Sequence, residues 1–301
     1  MDNQNDFPEM MDTHQVASYL RIKERKVYEL LKDRRIPCTR VTGKWLFPKV
    51  EIDAWLKRNS ASTPGGGRSA PAPMVVAGSH DPLLDWCLRE IGGGLALLPG
   101  SSTDGLARLA AGEAALAGIH LLDPESGEYN VPQVRQSLAE QNVVVIEWAW
   151  RQQGLVVKAG NPLGIASLAD LAGRKARVVL RQDGSGSRML LARLLAEAGL
   201  AEGDLTAAAG PARSETDVGM AILDGGADAG MAVASVAHSL KLGFVPLWRE
   251  RYDLVVDRRA YFEPAVQALL NFTRTREFAA RAEALGGYDV SGIGSIRWNA
   301  P

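Results

Sequence analysis

Cysteine is scarce in this sequence of 301 residues, which contains only Cys38 and Cys87. The two form no CxxC pair and no Cys/His spacing typical of a metal site, which excludes a disulfide scaffold or a zinc finger as the basis of the fold. Isolated thiols fit a reducing compartment, and we expect each of them to occupy a core position.

Long hydrophobic runs are absent as well. No run approaches the roughly 18 apolar residues that a membrane-spanning helix needs, so we predict no contact with a membrane. The first residues, MDNQNDFPEMMD, are acidic and polar, without the basic and apolar regions of a signal peptide. Together these features predict a cytoplasmic protein.

Catalytic motifs are a third absence. The sequence contains no GxSxG, HExxH, Walker loop or complete dinucleotide fingerprint. Ser79 and His80 are adjacent, and because successive side chains diverge, they make a poor nucleophile–base pair. We therefore predict a binding protein and not an enzyme, with no catalytic cofactor and no metal.

An excess of charge of one sign is also missing, because 34 Lys/Arg face 35 Asp/Glu. The distribution is uneven, however, and residues 11–58 hold 12 Lys/Arg against 6 Asp/Glu. A basic segment joined to a slightly acidic remainder indicates a polyanion partner for the first segment alone.

The pattern of residues 11–58 predicts a helix-turn-helix with a wing. Apolar spacing favours helices over 14–20, with Thr13 as its cap, and over 24–34, followed by a hairpin at 40–47 and a third helix over 49–58. If the second helix enters a major groove, its outward residues near the N-terminus should face bases: Lys23, Arg25, Lys26 and Tyr28. Further cations would lie near phosphates: Arg34, Arg35, Arg40 and Lys44.

This segment resembles the winged helix-turn-helix modules of the excisionase/MerR type. The resemblance rests on the order of THQVASYLRIKERKVYELLKDRRIPCTRVTGKWLFPKVEIDAWL and covers essentially all of residues 11–58. It implies binding to a specific sequence of double-stranded DNA.

The flanking segments differ in composition from this module. Residues 1–10 are expected to form a disordered leader. Residues 59–73, NSASTPGGGRSAPAP, are rich in small residues, Gly and Pro, and predict a flexible linker. The body then begins at residue 74 and continues to residue 301. Its predicted strands alternate with helices, which indicates an α/β fold with mostly parallel sheets.

Three loops of the body share one composition. Gly78-Ser79-His80, Ser101-Ser102-Thr103 and Gly184-Ser185-Gly186-Ser187 each follow a predicted strand and precede a predicted helix. Such loops direct hydroxyls and free backbone N–H groups at a ligand beside the carboxyl ends of the strands. Arg181 and Arg188 flank the last loop and add positive charge. The three loops together predict a site for a small oxyanion.

Residues 74–290 resemble the type II periplasmic-binding-protein fold, in its cytoplasmic molybdate/tungstate-binding-like version. The matching segments are GSHDPLLD, LAGIHLLDPESGEYN, QGLVVKAGNPLGI, RQDGSGSR, ERYDLVV and EALGGYDVSGIG. The resemblance implies two α/β lobes joined by two crossover strands. Lobe 1 would comprise residues 74–150 and 250–301, and lobe 2 residues 151–249.

The same resemblance implies which residues contact the ligand, a molybdate or tungstate ion. They are Ser79, His80, Ser102, Thr103, Arg181, Ser185, Gly186 and Ser187, with Thr216 and Tyr252 as weaker candidates. Many relatives have the sequence Gly-Ser-Gly-Thr-Arg at the positions of Gly184 to Arg188. This chain has Ser187 in place of the Thr. The hydroxyl is kept, so anion binding should survive, but the preferred ligand could differ. For His120, which follows a predicted strand, a structural role is the favoured interpretation.

We expect, in sum, a DNA-binding transcriptional regulator that senses a cytoplasmic oxyanion by lobe closure, acting as a dimer because specific DNA sites are usually bound by paired modules. Two alternatives stay open. The body could bind a different small anionic or polar metabolite. It could instead serve only dimerisation in a DNA-architecture protein.

Overall fold

The computed structural model describes residues 8–20, 22–32, 36–41, 43–59 and 72–300. The chain divides into two compact units, Met1–Arg68 and Ser69–Pro301. Several predicted features lie outside the described residues: most of the leader (1–7), most of the linker (60–71), and the candidate DNA contacts Arg34 and Arg35.

The first unit is a small α/β module with a three-stranded antiparallel sheet of order β1-β3-β2. Its elements are β1 (Met10–Met11), α1 (Thr13–Tyr19), α2 (Glu24–Lys32), β2 (Thr39–Val41), β3 (Lys44–Pro48) and α3 (Lys49–Asn59). Val16, Val27, Phe47 and Ile52 are buried together in its core. The two short helices and the β2–β3 hairpin are the predicted helix-turn-helix and wing.

Two details of this unit differ from the sequence-based expectation. The cap of α1 is Asp12 and not Thr13, because the Asp12 carboxylate accepts the backbone N–H of Gln15 while the Gln15 side chain accepts that of Asp12. Met10, which we assigned to a disordered leader, pairs with Pro48 as part of β1. The last residues of the leader therefore pair, through their backbone, with the edge strand β3 of the hairpin.

The second unit is built on a ten-stranded sheet of order β5-β4-β6-β11-β7-β10-β8-β9, with β12 and β13 also paired to β7. The strands are β4 (Val75–Ser79), β5 (Ala96–Gly100), β6 (Leu116–Ile119), β7 (Val143–Val157), β8 (Arg177–Val179), β9 (Thr206–Ala207), β10 (Ala229–Val233), β11 (Gly243–Asp257), β12 (Tyr288–Asp289) and β13 (Ile296–Asn299).

Helices connect these strands. They are α4 (Pro82–Glu90), α5 (Ser102–Ala111), α6 (Val131–Ser137), α7 (Leu168–Gly173), α8 (Gly186–Glu197), α9 (Glu215–Leu223), α10 (Ala234–Ser239), α11 (Arg258–Tyr261), α12 (Pro264–Phe272) and α13 (Arg276–Leu285), with a 3₁₀ turn at Glu202–Asp204. Among the residues that the structure describes, no helix has both the length and the apolar character needed to cross a bilayer.

Two strands of 15 residues, β7 and β11, connect the halves of this unit. They pair with each other along their length, while β6 pairs with the end of β11 and β10 with the end of β7. Strands β4–β6 therefore belong to one lobe and β8–β10 to the other, each with its own hydrophobic core. The fold is a two-lobed α/β domain.

The expected parallel pairing holds only within each lobe. Strand β4 is parallel to β5 and β6, and β8 is parallel to β9 and β10. Strands β7 and β11 are antiparallel because β7 carries the chain into the second lobe and β11 carries it back. The sheet is therefore mixed rather than mostly parallel.

Cys87 provides a test of the core of the first lobe. Its side chain is fully buried, and burial together with the nearby Asp81 and Glu90 carboxylates raises the pKa of its thiol to about 12. Because the thiolate is the reactive form, we expect no alkylation of Cys87 by iodoacetamide at pH 8 in the native protein and full alkylation in urea. Peptide mass spectrometry measures both. Equal rates in the two conditions would contradict this packing.

Candidate functional site

The first lobe contributes a group of hydroxyls at the N-terminus of α5. Ser79, the last residue of β4, places its Oγ 2.7 Å from the Oγ of Ser102. The Ser102 Oγ also accepts the backbone N–H of His120 at 3.2 Å. Ser101 caps α5 through the N–H of Asp104. Thus Ser102 and Thr103 lie in the first turn of the helix, where backbone N–H groups have no intrahelical partner.

The second lobe contributes the N-terminus of α8, which follows the loop after β8. Ser185 caps this helix by accepting the N–H of Arg188. The Ser187 hydroxyl donates to Oε1 of Glu215 at 2.6 Å and accepts a long hydrogen bond from Gln153 at 3.4 Å. Ser185, Ser187 and Glu215 are all fully buried. The positive end of the α8 dipole therefore faces a protein interior and not solvent.

The two helix N-termini meet across the cleft. Thr103 Oγ1 donates to the carbonyl oxygen of Gly184 at 3.3 Å. A Cβ at Gly186 would lie 2.4 Å from the carbonyl oxygen of His120, so position 186 admits no side chain in this arrangement. The glycines of the loop thus serve the close approach of the two lobes.

Arg181 is the cation of this cleft. Its side chain is buried, and one nitrogen, Nη1, donates to the Ala212 carbonyl at 3.2 Å. In the described part of the chain, its Nε and Nη2 have no hydrogen-bond partner. Burial lowers the pKa of this guanidinium, and the Glu215 carboxylate opposes that effect. A buried guanidinium with two free donors is a candidate anion ligand.

A network of buried charges lies beneath the cleft. Arg151, on β7, donates through Nη1 to Asp81 at 2.9 Å and through Nη2 to Glu250 of β11. Glu250 also accepts from Gln153 at 3.0 Å and lies 2.9 Å from Nδ1 of His120. Although burial opposes its ionisation, Arg151 and His120 hold the pKa of Glu250 at about 2. Glu250 is therefore a carboxylate, which makes His120 Nδ1 a donor.

The structure places the predicted ligand contacts in two groups. Eight belong to the loops and helix N-termini described above or next to them: Ser79, His80, Ser102, Thr103, Arg181, Ser185, Gly186 and Ser187. His80 is largely buried, with Nε2 at 3.8 Å from Asp85, and its Nδ1 has no hydrogen-bond partner in the described part of the chain.

The other two predicted contacts have different positions. Thr216 is exposed on α9, because the preceding residue, Glu215, takes the interior position. The Tyr252 hydroxyl donates to the backbone carbonyl of Ser79 at 2.6 Å and so supports the end of β4. Neither is placed where it could offer a free donor to the cleft.

Sequence reasoning missed the buried charges. Arg151 and Glu250 were not proposed, Glu215 was only a weaker candidate for a ligand contact beside Thr216, and a structural role was favoured for His120. A signal was present, because Arg151 and Glu250 interrupt otherwise apolar strands in WAWRQQG and WRERYD, and charged residues are seldom fully buried unless paired.

A cavity of about 160 Å³ adjoins this network between the two lobes. It is lined by His120, Leu122, Pro124, Tyr129, Gly186, Met189, Leu190, Arg193 and Glu250. Its walls combine the apolar side chains of α8 and of the segment after β6 with the polar atoms of His120 and Glu250. The cleft therefore contains a cavity in addition to the hydroxyl cluster.

The first unit presents its own candidate interface. Lys23, Arg25, Lys26 and Tyr28 are all exposed near the N-terminus of α2. Arg25 and Lys26 both contact Glu29, one turn along the same helix. On the hairpin, Lys44 is exposed and Arg40 stacks over the ring of Trp45 at 5.2 Å. The exposed cations of α2 and of the hairpin can contact phosphates.

Comparison with family models agrees with this division. Residues 89–274 match the PBP superfamily domain, and residues 10–60 match a helix-turn-helix domain. The chain belongs to the PBP superfamily, and it carries a helix-turn-helix DNA-binding domain at its N-terminal end.

Two curated relatives are similar in sequence. The uncharacterised protein YvgK of Bacillus subtilis is 26% identical over 296 residues, covering 94% of this chain and 96% of the relative. An uncharacterised protein from the ferredoxin 2Fe-2S gene 5′ region of Clostridium pasteurianum is 32% identical over 84 residues, covering 28% of this chain and 74% of the relative.

Solved structures share the fold of the second unit. A Clostridium perfringens protein assigned as a phosphate ABC transporter substrate-binding protein, with bound phosphate, has a TM-score of 0.53 at 12% identity and covers 73% of this chain and 98% of its own. The sulfate-binding protein SubI of Mycobacterium tuberculosis has a TM-score of 0.51 at 19% identity, covering 71% and 85% respectively.

Replacing Glu250 by Gln tests the buried network. Arg151 would lose one of its two counter-ions inside the protein, and breaking a buried pair costs about 3 kcal/mol or more in the free energy of unfolding. Because the pKa of Glu250 is held below its ordinary value, its contribution is present above about pH 4.5 and is lost as the pH falls towards 2.

Urea unfolding followed by tryptophan fluorescence at pH 7 and pH 3 measures both effects. The variant should be less stable at pH 7, and the difference from the native chain should shrink at pH 3. Glu113→Gln removes an exposed pair with Arg108 and should change stability by less than about 1 kcal/mol. Equal effects of the two substitutions would contradict the role given to Glu250.

Proposed function

We propose that the chain is a DNA-binding transcriptional regulator whose two-lobed domain binds a small oxyanion. The observation that carries the ligand proposal is Arg181, a buried guanidinium whose Nε and Nη2 lack partners among the described residues. A guanidinium whose Nε and one Nη are both available binds an oxyanion through two parallel hydrogen bonds. Arg181 follows β8, and its Nη1 donates to Ala212 just ahead of α9, at the carboxyl end of a strand, where open α/β sheets bind ligands.

The helix N-termini supply the rest of the proposed site. The first N–H groups of α5 and α8 are unpaired within their helices, and Ser79, Ser102 and Ser185 add hydroxyls. Most of these hydroxyls already hydrogen-bond to one another or to the backbone, so they would reorient around an ion. A group of N–H and hydroxyl donors of this kind favours a compact tetrahedral anion over a long, flexible ligand with several charged groups.

Molybdate and tungstate are the ions we propose first, following the family resemblance. Phosphate and sulfate are the necessary competitors, because one structural neighbour contains bound phosphate and another is a sulfate-binding protein. Among the buried carboxylates, Glu250 pairs with the Arg151 guanidinium, and Glu215 accepts hydrogen bonds from the Ser187 hydroxyl and the backbone N–H of Val233.

On the output side, we propose that the first unit binds duplex DNA through α2 and the hairpin, as a dimer. Lys23, Arg25, Lys26 and Tyr28 would face base edges, and Arg40 and Lys44 would face phosphates, in keeping with their exposure. Arg34 and Arg35 remain proposed phosphate contacts on sequence grounds. The ligand would change DNA affinity only to the extent that it prefers one lobe arrangement over another.

Arg181→Met tests the ligand site. The variant keeps the apolar length of the side chain and removes the charged donors, each of which contributes about 1.5–3 kcal/mol when hydrogen-bonded. We expect the affinity for the bound oxyanion to fall about 10- to 100-fold or more. Isothermal calorimetry of the full chain with molybdate, tungstate, phosphate and sulfate measures this.

Arg174→Met is the matched control, because Arg174 pairs with Asp170 on α7 and has no part in the proposed site. It should leave every oxyanion affinity unchanged. If the native chain binds none of the four ions, the oxyanion proposal is wrong. If Arg181→Met binds them as well as the native chain does, the ligand lies elsewhere.

Lys44→Ala tests the DNA interface. With a duplex selected from a random-sequence pool by the full chain, loss of one phosphate contact should reduce the slope of log K against log salt by about 0.9. Lys23→Ala should instead relax preference at one base position. Arg213→Ala, an exposed position of the second unit, should alter neither quantity. Fluorescence anisotropy measures the affinities, and failure to enrich any sequence would count against specific binding.

A further inference from the structure

The cavity beside the cleft has the dimensions of a small organic group. Its volume is about 160 Å³, and a protein cavity of roughly 150 Å³ is known to hold benzene. A bare tetrahedral ion bound at the hydroxyl cluster would leave this space unfilled. The cavity lies between the lobes, because α8 belongs to the second lobe and the segment after β6 to the first.

The lining of this cavity is divided by polarity. Leu122, Pro124, Met189 and Leu190 form apolar walls, and a hydrophobic surface of this kind gains free energy by covering an alkyl group. Met189 is 48% exposed and also lines the cavity, which places it at the mouth. The shape and chemistry of these walls suit an apolar substituent and not a second ion.

Polar atoms at the cavity independently point to a ligand. The His120 side chain is completely buried, yet its Nε2 has no hydrogen-bond partner among the described residues. The buried Nη1 of Arg193 is also without one, although its Nε pairs with Glu197 and its guanidinium lies 5.6 Å from the Trp248 ring. Buried polar atoms are normally satisfied, so these two indicate a polar group that belongs there.

Gly186 joins the cavity to the proposed anion site. It lines the cavity and is also the first residue of α8, where the backbone N–H has no intrahelical partner. An oxyanion at this N-terminus would therefore have the cavity directly beside it. The charge of Arg193 favours an anion there, and the Arg151 guanidinium offsets part of the negative charge of Glu250.

We propose that the cleft takes an organic oxyanion: an anionic head at the N-terminus of α8 and Arg181, and a short alkyl group in the cavity against Leu122, Met189 and Leu190. This inference rests on the proposed function, in which the cleft binds an oxyanion, and it ranks an organic oxyanion ahead of molybdate and tungstate as the ligand. Arg193 Nη1 donates to an oxygen of the head, and His120 Nε2, which is an acceptor when Nδ1 donates to Glu250, accepts from a protonated oxygen of the head. Inorganic oxyanions of the same head chemistry bind the same site more weakly.

A homologous series tests the proposal on the full chain. Calorimetry compares phosphate, methylphosphonate and propylphosphonate, which share a head and differ in alkyl length. Each buried methylene strengthens binding about fourfold, so propylphosphonate should bind roughly tenfold or more tighter than methylphosphonate.

Met189→Trp fills the mouth of the cavity at an exposed position that the fold tolerates. It should abolish the advantage of propylphosphonate while changing phosphate affinity by less than about threefold. Met220→Trp is the matched control, because Met220 is similarly exposed, on α9, and does not line the cavity. It should leave the whole series unchanged.

The outcomes separate the two proposals. If phosphate, sulfate or molybdate binds but affinity does not rise with alkyl length, the organic ligand class is wrong and the oxyanion site stands. An advantage of propylphosphonate that survives Met189→Trp would also overturn the use of this cavity. If neither inorganic ions nor phosphonates bind, the proposed oxyanion site itself is wrong.

Discussion

The two-lobed domain depends on Arg151, a fully buried guanidinium held between two carboxylates. Asp81 reaches it from the cap of α4, and Glu250 from the middle of β11. Arg151 itself lies at the middle of β7, so the pair forms where both crossover strands pass between the lobes. Because a buried charge that loses its partner is costly, this triad fixes the register of the two strands and, through Glu250, the orientation of His120.

The same triad explains how an anion could bind beside two buried acids. Glu250 is matched by Arg151 and by the N–H of His120 Nδ1, and Glu215 is matched by Ser187 and the backbone N–H of Val233. Two donors of Arg181 have no partner among the described residues, and the N-termini of α5 and α8 add partial positive charge. The donors available to a ligand are therefore those of the groups that have no protein partner.

Sequence patterns predicted the architecture more completely than the chemistry. The apolar spacing of residues 11–58 and the alternation of strands and helices after residue 74 are local signals, and they indicated both the helix-turn-helix and the α/β domain. Ser185 and Arg181 were predicted as ligand contacts because a glycine-rich turn before a helix is also a local signal. The pairings of Arg151 with Asp81 and of Glu250 with His120 join residues 70 and 130 positions apart. Only the folded sheet brings them together, and the solvent-facing position of Thr216 depends on packing in the same way.

Communication between ligand and DNA is constrained by how the lobes touch. Thr103 donates to Gly184, and Gly186 admits no side chain against His120, so the two lobes meet in a fit that tolerates little deviation. A ligand that bridges Arg181 and the hydroxyls of the first lobe gains most of its contacts only when that fit is made, which gives it the differential affinity that any switch requires.

The sequence between the units is rich in Gly, Pro and Ser, a composition ill-suited to transmitting a rigid rotation. If the chain forms the proposed dimer, a change in the arrangement of the paired chains is the simplest route to DNA. Linkage makes such a route reciprocal, because any factor by which the ligand alters DNA affinity must equally alter ligand affinity in the presence of DNA.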